Sequence, residues 1–266
     1  MTPGSQLKAV FNPKRFDNRL GVRCGKTIWI GVMLCLPLIF WISVGAQPTG
    51  SANQGATSQT KALEEEALRL NKRVGQLVRE GRIVEAIPLA RRSLDLSEQI
   101  HGKVHRNVSA DLVTLASLYL AQEDYFNAEP LVTRAIDIDK QLFGPRHPEV
   151  AIDMASLGNI FSKKGDKQAA VRSYHEALDL MYSSPDAGSY LNKVAEIHSL
   201  LANTLLELNQ TNEAIAQYLS AEQIYELTDH KLAVQTLIKM AEADRAHGNQ
   251  PRANGWLDRA RKLEGR

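Results

Sequence analysis

Four stretches carry residues whose types and spacing could support chemistry. The first, GVRCGKT at residues 21–27, has the ingredients of a phosphate loop: glycines that free backbone N–H groups and a lysine for the phosphate charge. Gly21 stands one residue too close to Gly25-Lys26-Thr27, however, and a lipid-like run follows where a soluble helix should start. No nucleotide site is expected. In the second, His101 and His105 are four apart, a spacing that can hold a metal from one helix face, but Gly102 lies between them. Capping and turn packing are the expected roles. The third, His175-Glu176, has no partner set nearby, and no GxSxG, HExxH or recurring Asp/Glu pair supplies a nucleophile or base. The chain is therefore not expected to be an enzyme, and no cofactor or metal is expected. The fourth comprises Asn107-Val-Ser and Asn209-Gln-Thr, which fit the glycosylation pattern and matter only in a eukaryotic secretory route.

The elements that would position such residues begin with charge. The chain of 266 residues has 32 Lys and Arg against 30 Asp and Glu, but six of the basic residues and only Asp17 fall in residues 1–26. That leaves 26 basic and 29 acidic residues beyond, a net of −3, so the body lacks the basic stripe that nucleic acid requires. No charge occurs between Lys26 and Lys61, and residues 27–46, TIWIGVMLCLPLIFWISVGA, are an apolar run of bilayer length. The basic leader 1–26 predicts a cytoplasmic N-terminus, with everything after residue 46 translocated. Trp29 and Trp41 towards the two ends suit an uncleaved anchor; Val44-Gly45-Ala46 suits cleavage after Ala46, which would release a periplasmic or secreted body. Both cysteines, Cys24 and Cys35, lie at or before this segment, so the body beyond it has no thiol for disulfides, metal or catalysis. Residues 47–60, polar and uncharged, read as a flexible linker with a reach of roughly 20 Å.

Helical periodicity runs from about Lys61 to the end, and it repeats. Residues 86–108, AIPLARRSLDLSEQIHGKVHRNV, align at an offset of 42 with 128–150, AEPLVTRAIDIDKQLFGPRHPEV, with nine identities in 23. The spacing continues: Ala116 and Tyr119 become Gly158 and Phe161, while Ala128 and Ala135 become Ala170, Tyr174 and Ala177 with Val132 at the tyrosine position. Two looser copies carry Ala202, Ala214 and Ala221, then Ala241, Ala253 and Ala260; a degenerate first copy has Ala86. Small residues recur where two helices cross, because axes about 8 Å apart leave no room for bulk. Gly144 is expected to end one helix, Pro148 to open the next, and Pro88 and Pro130 to sit in first turns. SSPDAGSY, 183–190, reads as a protruding loop.

This pattern resembles the tetratricopeptide repeat (TPR), and its 42-residue period resembles the kinesin light chain subtype also found in bacterial repeat proteins. The resemblance implies an all-α, right-handed helix-turn-helix solenoid over 61–266, with repeats at about 67–108, 109–150, 151–194, 195–233 and 234–266. It also implies that the first helices line a groove, on which Asn71, Ser117, Asn159, Lys163, Asn203, Glu207, Lys239, Glu242 and Arg245 fall. Adjacent asparagines there can hold an extended peptide backbone. The asparagine pair typical of kinesin light chains is replaced by Val113-Thr114 and Ala155-Ser156, so their cargo does not carry over. Asn71 and Lys72 only hint at the basic clamp of other members. The implied role is a membrane-tethered, non-catalytic scaffold for an unknown protein or peptide. Two other roles stay open: regulatory subunit or relic of a peptidase system of caspase type, as in similar bacterial arrays, or a structural array self-associating through the Trp256 helix.

Overall fold

The computed structural model describes residues 50–265. Among them are ten α-helices and no strand: α1 Gly50–Arg79, α2 Ile83–His101, α3 Arg106–Ala121, α4 Tyr125–Phe143, α5 Pro148–Lys164, α6 Lys167–Ser183, α7 Leu191–Glu207, α8 Thr211–Thr228, α9 His230–Ala246 and α10 Gln250–Glu264. They pack as five antiparallel pairs, each second helix also lying against the first helix of the next pair. First helices of neighbouring pairs also touch, α3 with α5 and α5 with α7, which makes them one face of a helical solenoid. No described helix is long and apolar enough to cross a membrane; the leader 1–26 and the run 27–46 lie outside the described residues.

The small residues of the repeat are where the helices close. Ala86, Ala128, Ala170, Ala214 and Ala253, one per pair on the second helices, are each fully buried, as are Ala135, Ala177, Ala202 and Ala221. Ala116, Ala241 and Ala260 are buried too, with Tyr119 and Tyr174 as large neighbours; Phe161 is half-buried. Gly158 shows why the position is small. A Cβ there would stand 2.8 Å from Cε1 of Tyr174, well inside contact distance. The apolar core forms two clusters that meet in α5, whose Val150 and Ile160 belong to the first two repeats and Ala151 and Ala155 to the last three.

The duplicated turn is a capping device. Gly102 and Gly144 take φ of 79° and 91° after α2 and α4, a conformation that a side chain disfavours. His105 and His147 then cap α3 and α5, each Nδ1 accepting the backbone N–H two residues on at 3.2 Å. The preceding helix stacks a ring on each cap: His101 on His105 at 4.2 Å, Phe143 on His147 at 4.7 Å. The His101–His105 spacing thus serves this stack and cap. Asp124, Asp166 and Asp229 cap α4, α6 and α9 in the same way.

Three sequence expectations need correction. Helix α1 starts at Gly50, so residues 50–60 are helical and not a flexible coil; once the amphipathic part of α1 has nucleated, each added Ala, Gln or Ser gains a backbone bond at little cost. Pro88 and Pro130 stand six residues into α2 and α4, beyond the first turn, because these helices start earlier than the apolar pattern does. Both rings are exposed, so the missing N–H leaves a carbonyl that water can reach. The segment 183–190, expected to protrude, is mostly exposed; it contains a 3-10 turn at Ala187–Tyr190 and is tied back where the Tyr190 hydroxyl donates to Glu149 at 3.3 Å. The first helices of the second to fifth pairs start three or four residues before the repeat boundaries read from the sequence.

Candidate functional site

The face made by α3, α5 and α7 contains a cavity of about 200 Å³. Ser117 and Asn159, from corresponding places in adjacent repeats, line it together. Ile152, Ile197 and Leu200 give it apolar walls, and Lys193 and Glu196, paired at 2.9 Å, stand at its side. The hydroxyl of Ser117 donates back to the Val113 carbonyl at 2.9 Å. Asn159 is half-buried and makes no side-chain hydrogen bond among the described residues, so its amide can both donate and accept.

The other expected groove residues are divided. Asn203 is not part of that cavity's lining, and its Oδ1 accepts the Tyr218 hydroxyl, which fixes the amide against its own repeat. Glu207 is tied to Lys167 by an ion pair. Asn71 donates Nδ2 to Asp111 at 3.2 Å and lines a separate cavity between α1, α2 and α3. Lys163, Lys239, Glu242 and Arg245 are exposed on α5 and α9. Periodicity placed these side chains on first helices; it carried no information on which of them the fold spends internally. Trp256 is half-buried, and its indole N–H donates to Asp244 at 2.7 Å beside Arg252, which pairs with the same buried carboxylate.

A feature that the sequence reading passed over lies one cavity along. Asp111 and Asp153 recur at the 42-residue offset and are both buried, although no recurring acidic pair was expected. Asp153 lines a cavity of about 420 Å³ between α3, α4 and α5 together with Asp139, Glu149, Val113 and Phe143. Burial, and then the facing Asp139 and Glu149, push the Asp153 carboxyl up to about 8; burial raises Asp139 as well.

Residues 65–140 and 108–183 match the tetratricopeptide repeat family model. The match spans the first three helical pairs, which are similar to tetratricopeptide repeats. Solved structures similar to the chain include the kinesin light chain TPR-like repeats of Podosopora anserina, 18% identical over 77% of this chain and 95% of that one, with a TM-score of 0.60. BtubC (BKLC) from P. vanneervenii is 20% identical over 82% of this chain and 92% of that one, with a TM-score of 0.60. A Rap protein complexed with Competence and Sporulation Factor is 14% identical, and the match covers 75% of this chain and 54% of that one at a TM-score of 0.62. At these identities the likeness is one of fold, which is kinesin light chain-like. No curated protein matches the chain.

Proposed function

We propose that the chain is a non-catalytic scaffold, anchored by residues 27–46, whose TPR face captures an extended segment of a partner protein or peptide outside the cytoplasm. The observation that carries this is the cavity between α3, α5 and α7, where Asn159 offers an uncommitted amide above apolar walls. An amide can bond a peptide group bidentately, while Ile197 and Leu200 accept an apolar side chain. The Rap structure is a complex with Competence and Sporulation Factor, which is consistent with such a fold receiving a ligand. The uncharged apolar run with its basic leader supports the anchor.

The test uses the scarcity of thiols. With Cys24 and Cys35 replaced by serine, a benzophenone on Asn159→Cys is expected to crosslink a partner in native membranes. The same probe on Arg172→Cys, on α6 of the same repeat, is expected not to. Equal yields from the two would defeat the groove. Deleting residues 27–46 should move the chain from the membrane fraction to the soluble one, and retention would defeat the anchor.

A further inference from the structure

Asp111 sits at the seam between the first and second repeats and is surrounded by donors. Ser97 donates to it at 2.6 Å, Asn71 at 3.2 Å and Ser93 at 3.5 Å. One repeat later the partner of Asp111 is Asp153, and all three donors have changed: Asn71 becomes Val113, Ser93 becomes Ala135 and Ser97 becomes Asp139. The second seam therefore keeps the buried acid, removes its donors and adds another acid. Asp139 and Asp153 are only 6% and 5% exposed, and Oδ1 of the first and Oδ2 of the second have no hydrogen-bond partner. A buried polar atom left unsatisfied costs ~1–3 kcal/mol, more when charged. Both side chains line the same open cavity.

We infer that this cavity is a docking site for the cationic end of an arginine or lysine side chain of a partner polypeptide. The chemistry of the walls is suited to it. The aliphatic stem of such a side chain can lie along Val113, Ile152 and Phe143 while its head meets Asp139 and Asp153. Glu149, held by Tyr190, adds a third carboxylate at the lining. Arg106 lines the cavity as well, but no ion pair joins it to either aspartate among the described residues. His147 caps α5 through Nδ1, so the groups that face the pair from α3, α4 and α5 are Arg106, His147 and Glu149. The inference does not depend on the peptide groove, although Ile152 lines both cavities.

An empty site keeps a proton on Asp153 at pH 7, and an entering cation displaces it. Since Asp153 stands near 8, binding at pH 7 releases about one proton, and affinity rises about tenfold per pH unit below 8 and levels off above it.

The experiment uses the full chain in detergent and blocked pentapeptides with arginine, lysine, citrulline or norleucine at the centre. Calorimetry in two buffers of different ionisation enthalpy counts the protons. The arginine or the lysine peptide is expected to bind at least tenfold more tightly than the citrulline and norleucine peptides, with release of about one proton at pH 7. Asp139→Ser, which copies the first seam, and Asp153→Asn should each abolish that preference and the proton release. Asp139→Ser supplies a hydroxyl that Asp153 can bond, so a folding defect does not blur the result. Equal binding of all four peptides, no binding by any, or an unchanged preference in Asp139→Ser would overturn the inference. Proton release by calcium chloride alone, lost in Asp139→Ser, would overturn it in favour of a metal site.

Discussion

The first and second repeat seams share geometry and differ in chemistry. In both, a glycine with positive φ ends a helix, a histidine caps the next, and an aspartate six residues after that histidine turns into the interface. At the first seam Asp111 is a structural acceptor with three donors around it. At the second, the same position faces Asp139, and its proton is held to about 8. The comparison teaches that a repeat can conserve its backbone while three exchanges, Asn to Val, Ser to Ala and Ser to Asp, turn a closed hydrogen-bond network into an open acidic one. The location adds to this, since the two apolar clusters of the core meet in α5, the helix that carries Asp153.

The comparison can be broken from the first side by writing the second seam into it. Ser97→Asp places a carboxylate against Asp111, removes its shortest hydrogen bond and leaves two buried acids to share one proton. The expected loss is ~3 kcal/mol at pH 8 and much less at pH 4, where both acids can be neutral. Thermal unfolding at the two pH values checks it, and equal losses at both would mean that charge is not the cause.

Writing the first seam into the second is the complementary change, with a somewhat smaller effect of opposite sign. The folded chain holds the Asp153 proton more tightly than the unfolded chain, in which an aspartate titrates near 4. The stability this contributes is thus fully present below about 4 and is lost as pH rises through about 8. Asp139→Ser is expected to flatten this dependence and to stabilise the chain by ~2 kcal/mol at pH 8. A wild-type unfolding midpoint that is constant from pH 4 to 8 would contradict the shift.

Much of the fold was legible because repetition is a strong signal. The alanines at the 42-residue offset are buried at helix crossings, and the glycine and histidine of the echoed turn cap the helices they separate. Helix starts were less legible: the apolar stripe begins only after the first turn, so Pro88 and Pro130 were read too close to the N-terminus, and α1 was read too short. The site was the least legible. That Asn159 is uncommitted while Asn203 is bonded to Tyr218 depends on side-chain reach, which periodicity does not encode. The acidic seam had a signal in plain view, since Asp139 is the residue opposite Ser97 in the alignment. An acid replacing a serine at a presumed surface position carries no weight until the position is known to be buried.

A finer version of the comparison isolates the remaining donors of the first seam. Asn71→Val copies Val113 and removes the 3.2 Å bond to Asp111 while leaving Ser97 in place. Asn71 is exposed, so the vacated carboxylate oxygen can find water, and the expected loss is ~1 kcal/mol at pH 7. A loss as large as that of Ser97→Asp would show that Asn71, not Ser97, holds the carboxylate.

Ser93→Ala, the counterpart of Ala135, should have the smallest effect. Its hydroxyl lies 3.5 Å from Asp111 Oδ2, at the edge of hydrogen-bonding distance, and Ser97 reaches the same oxygen at 2.6 Å. Alanine also favours the interior of α2 over serine by a few tenths of a kcal/mol. The two contributions nearly cancel, so a change within ~0.5 kcal/mol is expected in chemical denaturation. A loss well above that would mean that Asp111 needs both serines, and that Asp153, which has neither, is strained by more than the exchange at position 139 accounts for.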